Sequence, residues 1–375
     1  MKLRNLVAFS SITLGTLGAA LAIKSFLPQR FATAHWYEAE EPAPPLDTST
    51  FPQVEVMFLR CGSVAIPEFV AVRGAFSPIP RIISHSAVLV RHPKATFLYD
   101  TGLNSDISAF VADRSLLFRK TLGRFQFEQS LSSHLKSMGM ESSASIRLAN
   151  DAGFTSQTFG NDAGASSAPH SSERKESSSF AQARRKETDL DFALLSHLHW
   201  DHVSGIPDIP GVLLRINRVE YDAARLGLLD ANGGLVRQLM GDNPIEFFDC
   251  AGPAYEGFRS SLDLFGDGSV VLVPLPGHTA GNTGMFINRA NGPRLFLLGD
   301  AAWVSQNYLR PATMHPFMWS RITSDDATAR QTLIKLHHFA LQHPEIILVA
   351  MHDAEMQEKF LILEQAQITG ARMKQ

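Results

Sequence analysis

The sequence has few cysteines and little net charge, and each shortage excludes a class of protein. Its 375 residues include two cysteines, Cys61 and Cys250, which cannot form a disulfide framework, although one bridge or two buried thiols both fit. The formal net charge of −3 lacks the basic excess of nucleic-acid-binding proteins. With 45% hydrophobic residues, the chain can still bury a large core, as one α/β domain or two small ones.

The N-terminal residues have the pattern of a targeting segment. Lys2 and Arg4 precede an apolar run over residues 6–23, which is long for a signal peptide and short for a membrane-spanning helix. Ala32-Thr33-Ala34 offers a cleavage site, and Ala20-Leu21-Ala22 is a second candidate. We therefore expect residues 1–34 to be a signal peptide or a retained membrane anchor, and the protein to be exported to the periplasm or attached to the membrane. A buried N-terminal helix of the folded domain is the alternative.

Two further stretches lack the periodicity of packed elements. Residues 35–52 are rich in proline and predict an extended linker. Residues 141–186 are dominated by Ser, Ala, Arg, Lys and Glu, which bury too little apolar area to offset the entropy of ordering. We expect a disordered surface insertion there, with a substrate lid as the alternative. The folded domain is expected over residues 53–375.

Short apolar runs and helical patterns alternate along this domain. Apolar runs at 192–195, 270–274, 295–298 and 346–349 predict strands, and each is followed by a His or Asp. Helical spacing from Phe127 through Met138 predicts one helix, and Ser324-Asp325-Asp326 provides an N-cap and early acids for another. The acidic and imidazole groups are therefore expected at the ends of buried strands.

Three histidines and an aspartate follow the first of these runs, in the segment His197-Leu198-His199-Trp200-Asp201-His202. An extended chain alternates faces with period two, so His197 and His199 are expected to point the same way. Neutral imidazoles and carboxylates are ligands that Zn²⁺ prefers, and burying so many without a cation would be costly. A histidine-rich surface loop is the alternative.

This segment resembles the signature of the metallo-β-lactamase-fold hydrolases. Three later stretches follow in that family's order: Pro276-Gly277-His278-Thr279-Ala280-Gly281, Leu298-Gly299-Asp300 and Met351-His352-Asp353. Upstream, Phe97-Leu98-Tyr99-Asp100-Thr101-Gly102 resembles the strand and turn with which the family opens. The resemblance implies an α/β fold with the αββα four-layer sandwich of that family.

The resemblance also implies a dinuclear metal site. One metal would bind His197, His199 and His278, the second Asp201, His202 and His352, and Asp300 would bridge both. Two Zn²⁺ ions, or other divalent metals, would then share a water and lower its pKa, giving hydroxide as nucleophile. Asp201 and Asp300 are also expected to act catalytically, by carrying a proton to the leaving group.

For the substrate, the sequence is most similar to the acyl-homoserine-lactone lactonase-like group. It departs from that group at Trp303, where a tyrosine is usual. The aromatic residues Trp303, Phe317 and Trp319 follow a metal ligand and are expected to contact a small lactone or ester with an apolar tail, although ordinary core packing explains them equally well. A glyoxalase-II-like thioesterase and a phosphodiesterase of the same fold are the alternatives, and a non-enzymatic binding protein is the third. No nucleic-acid partner is expected.

Overall fold

The computed structural model describes residues 23–28, 31, 46–140, 190–226 and 239–372. The strands in this part are β1 Glu55–Ile66, β2 Arg81–His92, β3 Ala95–Tyr99, β4 Gln126–Phe127, β5 Phe192–Leu195, β6 Leu213–Asn217, β7 Ile245–Phe248, β8 Leu262–Asp263, β9 Val270–Pro274, β10 Thr283–Ile287, β11 Leu295–Leu297 and β12 Ile347–Val349.

The helices in the same part are α1 Glu68–Ala71, α2 Ile107–Ala112, α3 Leu116–Lys120, α4 Leu131–Ser137, α5 Trp200–Val203, α6 Arg218–Leu226, α7 Ser305–Leu309, α8 Pro316–Ile322, α9 Asp326–Gln342 and α10 Ala354–Arg372. Short 3₁₀ turns lie at Thr48–Thr50 and Ile206–Asp208. None of the helices in this described part of the chain is both long and apolar enough to cross a membrane.

The strands form two sheets. One has seven strands in the order β4-β1-β2-β3-β5-β6-β7, and the other has five in the order β12-β11-β10-β9-β8. Strands β3, β5 and β6 are parallel neighbours, and so are β11 and β12. Parallel strands end at the same edge of their sheet, so the turns after β3 and β5 lie side by side, as do those after β11 and β12.

Three hydrophobic clusters give the order of the layers. One contains residues of both sheets, including Val88 and Phe97 from the first and Leu272 and Met285 from the second, so the sheets pack face to face. A second cluster covers the outer face of the seven-stranded sheet with α2, α4 and α5. The third covers the outer face of the five-stranded sheet with α7, α8 and α9. The fold is thus the expected α/β sandwich with helices outside two sheets.

Most element predictions match these bounds. Helix α9 begins after Asp325, whose side chain accepts from Thr328 N, and ends at His343. The helix predicted from Phe127 was placed too early: Phe127 pairs with Gly62 in strand β4, and α4 starts after Ser130, whose hydroxyl caps it. Long-range strand pairing therefore overrides the helical spacing there. The predicted insertion at 141–186 lies outside the described residues, as do residues 1–22 and 32–45.

Candidate metal centre

The central ligand segment lies between a strand and a short helix. Strand β5 ends at Leu195, and residues 197–199 connect it to α5, with extended backbone at His199, the N-cap of that helix. Asp201 and His202 lie within the short helix α5, directly after this connection. Leu198 N donates to the buried carboxylate of Glu220 on α6, which also accepts from Gly281 N. Glu220 therefore ties the segment to the turn that carries His278.

All seven predicted ligands come together around Asp300. Its carboxylate oxygens lie 3.3 Å from His202 Nε2, 3.4 Å from His278 Nε2 and 3.1 Å from His352 Nε2. Three groups of three residues could each hold a metal ion, because within each group one ligand atom per residue lies within 4.8 Å of the other two. The groups are His197, His199 and His278; His197, His202 and Asp300; and His85, Asp201 and His352. His85 is the residue of these groups that the sequence did not reveal.

Hydrogen bonds fix which nitrogen of each imidazole is available to a metal. His352 Nδ1 donates to the Ser84 carbonyl oxygen at 2.6 Å, and His202 Nδ1 donates to Asp100 Oδ2 at 2.8 Å. Ser196 Oγ donates to the same Asp100 oxygen at 2.9 Å, so it accepts from His197 Nδ1 at 3.0 Å. In all three histidines Nδ1 is engaged, and Nε2 is left with its lone pair for a cation.

Asp100, which the sequence placed only in a family turn, therefore orients the ligands. Its backbone has φ of 59°, a left-handed conformation that is unusual for a residue other than glycine. Ser196 N, Ser196 Oγ and His202 Nδ1 all bond to its buried carboxylate. Such strain is tolerated when surrounding contacts hold the residue, and it is frequent at functional sites.

The turn that carries His278 has a comparable constraint. Gly277 has φ of 123°, and a Cβ placed on it would lie 2.2 Å from Ala329 N at the start of α9. Only glycine fits this backbone and this close approach. His278 is thereby held against the N-terminal turn of α9, where Ser324 N donates to its carbonyl oxygen.

The donor set fits divalent cations. His197 Nε2, His202 Nε2, His278 Nδ1 and Asp300 Oδ1 are buried without a hydrogen-bond partner, which is costly unless another group satisfies them. Asp100, Asp201 and Asp300 are buried or nearly so, and none of them pairs with a lysine or arginine of the described part of the chain. One or more cations would satisfy the orphaned atoms and balance the carboxylates.

The electrostatics of the cluster divide the ligand histidines into two kinds. Burial would lower the pKa of His202 and His352, but Asp300 and the neighbouring carboxylates raise both, so a cation would replace a proton at these two imidazoles. Burial lowers the pKa of His278 to about 3 and holds the pKa of His197 well below its usual value, so both imidazoles stay neutral. Burial alone would raise the pKa of Asp300, but the neighbouring His352 and His202 lower it well below the usual value. Neutral imidazoles and ionised carboxylates are the forms that bind metals.

A cavity of about 400 Å³ opens beside these residues. His85, His199, Asp201, His278, Asp300 and His352 line its inner end, and most of the remaining wall is apolar: Val64, Ile66, Phe69, Val70, Ile83, Leu122, Phe317, Met318 and Ile322. Lys120 and Arg124 also line it. The arrangement can hold a metal-bound polar group next to an apolar chain.

The three aromatic residues predicted to contact substrate lie in different environments. Trp303 and Phe317 line the cavity, and the Trp303 Nε1 donates to Asp300 Oδ2 at 3.1 Å. Trp319 does not line the cavity, contrary to the prediction that it contacts the substrate. Its side chain is buried in the core between α8 and α9, and its Nε1 donates to Asp326 Oδ1. Residue 319 lies two positions after Phe317 in a helix, which turns it toward the core.

Fold and site together define a class: an αββα protein with a histidine- and aspartate-rich metal centre at one edge of its paired sheets. Residues 162–337 match the model of the metallo-beta-lactamase superfamily. The chain thus contains a segment, just under half of its length, that matches a domain of this superfamily.

Curated relatives and solved structures agree with this assignment. The chain is 27% identical to the N-acyl homoserine lactonase AttM of Rhizobium radiobacter over 176 residues, which are 46% of this chain and 61% of AttM. It is 28% identical to AttM of Agrobacterium fabrum over 172 residues, with the same coverage. The match therefore spans less than two thirds of these relatives.

Among solved structures, an N-acyl homoserine lactone hydrolase with N-hexanoyl-L-homoserine at its catalytic metal centre superposes with a TM-score of 0.55 and 14% identity, over 83% of this chain and 97% of that one. A variant of Bacillus thuringiensis AiiA with bound N-decanoyl-L-homoserine gives a TM-score of 0.54, 16% identity and the same coverage. At this identity the superpositions show a shared fold.

Proposed function

We propose that this protein is a hydrolase that uses two divalent cations, Zn²⁺ first among the candidates, to open a lactone or ester with an apolar tail. The observation that carries the proposal is the apolar cavity that ends on the ligand cluster. A lactone carbonyl near Asp300 would leave an acyl tail against Ile66, Phe69 and Phe317. The similarity to AttM and to structures that hold acyl-homoserine products supports this substrate class.

His197, His199 and His278 would hold one cation, Asp201, His202 and His352 the other, and Asp300 would contact both. When bound, the cations supply Lewis acidity and lower the pKa of water, so that hydroxide is available as nucleophile near neutral pH. Asp100 and the Ser84 carbonyl keep the ligand imidazoles in one tautomer, which preserves the site between turnovers.

The carboxylates differ in their access to substrate. The Asp201 side chain is 12% exposed and that of Asp300 is 3% exposed, and both face the cavity. Asp201 is therefore better placed to carry a proton to the departing alkoxide oxygen. Trp303 donates to Asp300, so it holds the bridging carboxylate in place and does not take the carbonyl-binding role of a tyrosine.

Two basic residues of the cavity are the reason to test thioesterase and phosphodiesterase activity as well. Lys120 and Arg124 line the cavity and could bind an anionic group, as a glyoxalase-II-like thioesterase or a phosphodiesterase would need. Purified protein should be assayed against acyl-homoserine lactones, thioesters, phosphodiesters and a cephalosporin, before and after chelation. We expect metal-dependent cleavage of the lactones to be fastest. Faster cleavage of a phosphodiester or thioester than of any lactone would contradict the proposal, and activity that survives complete metal removal would contradict the mechanism.

A further inference from the structure

His85 is a buried imidazole that the seven-ligand set does not include. It lies in β2, beside Ser84, whose carbonyl accepts from the ligand His352. Its side chain is 6% exposed, and neither of its ring nitrogens makes a hydrogen bond. A buried imidazole with two unsatisfied nitrogens is unusual, because each nitrogen loses its hydrogen bond to water on folding.

The surroundings of His85 are metal-site residues on one side and aromatic rings on the other. Its Nδ1 is 3.2 Å from Asp201 Oδ2, and its ring centroid is 5.5 Å from that of His352. Trp200 and Phe125 lie 5.7 and 5.9 Å away, centroid to centroid. These rings offer no hydrogen-bond acceptor, and they hold the imidazole toward Asp201.

We propose that His85 is a further protein ligand of the metal position formed by Asp201 and His352. One nitrogen of His85, one oxygen of Asp201 and one nitrogen of His352 all lie within 4.8 Å of one another, close enough to share one cation. The inference rests on the proposed function, since it assigns one more ligand to the same dinuclear centre.

A simpler role would be a hydrogen bond from His85 to Asp201, which would make it a positioning residue. The two roles differ in what a glutamine could replace. A Gln side chain can donate to a carboxylate, but an amide is a poor ligand for Zn²⁺ beside imidazoles. His85→Gln therefore separates ligation from hydrogen bonding while keeping a side chain of similar length.

The test measures bound zinc at a buffered free-zinc concentration in the full chain, for the wild type, His85→Gln, His85→Ala and His352→Gln. His134→Gln is the matched control, because the side chain of this partly buried histidine bonds only to the Arg60 carbonyl within the described part. We expect His85→Gln and His85→Ala to lose about one of about two zinc equivalents, as His352→Gln does, while the control keeps both. The Co²⁺-substituted protein should show the same loss as a weaker visible absorption from the second ion.

Zinc content of His85→Gln equal to that of the wild type, with an unchanged Co²⁺ spectrum, would overturn the ligand assignment. Recovery of metal in His85→Gln but not in His85→Ala would also overturn it, in favour of positioning through Asp201. Neither result depends on which substrate is cleaved. Failure of the proposed function, seen as lack of hydrolysis by fully loaded wild type, is therefore distinct from failure of this inference.

Discussion

Asp300 is the residue on which the centre depends most, because its carboxylate contacts three ligand histidines and the Trp303 indole. Asp300→Asn removes the charge but keeps the shape and an oxygen that can accept from Trp303. We expect weaker binding of both metals and a loss of kcat/KM far larger than any loss of stability. The metal-free variant should melt somewhat below the metal-free wild type, since the Asp300 carboxylate no longer pairs with His202 and His352. Elemental analysis, kinetics and calorimetry test this, and an active variant with full metal content would contradict it.

The two cysteines give a second prediction at this scale. Both thiols are free; Cys61, in β1, is buried under the helices on the outer face of the seven-stranded sheet, and Cys250 is partly buried. Burial raises the pKa of each thiol to about 12, so the reactive thiolate is scarce at neutral pH. We expect Cys61 to resist a thiol reagent at pH 8 in the native protein, whereas two thiols react after unfolding without reductant. The Cys250→Ser variant isolates Cys61, and its rapid native labelling would be evidence against the packing described.

How far the sequence predicts the site depends on how local each signal is. The seven ligands follow apolar runs in the sequence, and the structure brings them together. His85 and Asp100 acquire their roles only through contacts with residues far along the chain: Asp201 for His85, and Ser196 and His202 for Asp100. Sequence spacing has no signal for such pairs. A rule based on strand alternation could place His85 on a face of β2, but not opposite Asp201.

At the scale of elements, α8 separates a cavity residue from a core residue. Phe317 lines the cavity and is 43% exposed, whereas Trp319 is 8% exposed and packed between helices. Each buried methylene contributes roughly 0.8 kcal/mol, so lengthening an acyl tail from four to eight carbons could gain up to about 3 kcal/mol. We expect kcat/KM to rise with acyl length in the wild type, and Phe317→Ala to flatten this trend without a large change in melting temperature.

Trp319→Ala should have the opposite profile. It removes a buried aromatic side chain and its hydrogen bond to Asp326, and such truncations cost about 3–5 kcal/mol. The melting temperature should fall by several degrees, while the remaining folded enzyme keeps its dependence on acyl length. Equal effects of the two substitutions on the chain-length trend would show that both side chains contact substrate.

The strands were easier to predict than the helices for a physical reason. Strands β5, β9, β11 and β12 are buried on both faces between packed layers and appear as unbroken apolar runs. Helix α4 is short, and the pairing of Phe127 with Gly62 decides where it begins. Local spacing cannot reveal that pairing, because Gly62 is distant in sequence.

At the scale of the whole molecule, the segment at 141–186 is the largest untested part of the domain prediction. Its composition lacks the apolar residues that a packed element needs. We expect deletion of residues 142–185 to leave the melting temperature and metal content of the wild type unchanged. A fall of more than a few degrees would show that the segment packs against the core. Unchanged stability with altered kcat/KM would favour the lid.

The N-terminal segment gives the last prediction, because part of it contacts the catalytic domain. Arg73 Nη2 donates to the Lys24 carbonyl at 2.8 Å, and its Nε to the Leu27 carbonyl at 3.1 Å. The Phe26 ring lies 5.1 Å from that of Phe69 and 5.0 Å from that of His315, and these two residues line the cavity.

Cleavage after Ala34 would remove these contacts and uncover the Phe69 side of the cavity. We therefore expect export without cleavage after Ala34, so that mass spectrometry should find no mature chain that begins at residue 35. A retained segment would place the protein in the membrane fraction, whereas cleavage after Ala22 would release it with these contacts intact. A chain starting at residue 46 should melt at a lower temperature than the full chain. Arg73→Ala in the full chain, the matched variant, should reproduce part of that loss, because it removes only the bonds to the two carbonyls.

A chain processed after Ala34 that is as stable and active as the full chain would show that the contacts of residues 24–27 are dispensable. A reporter fused after residue 55 and active only in the cytoplasm would contradict export itself.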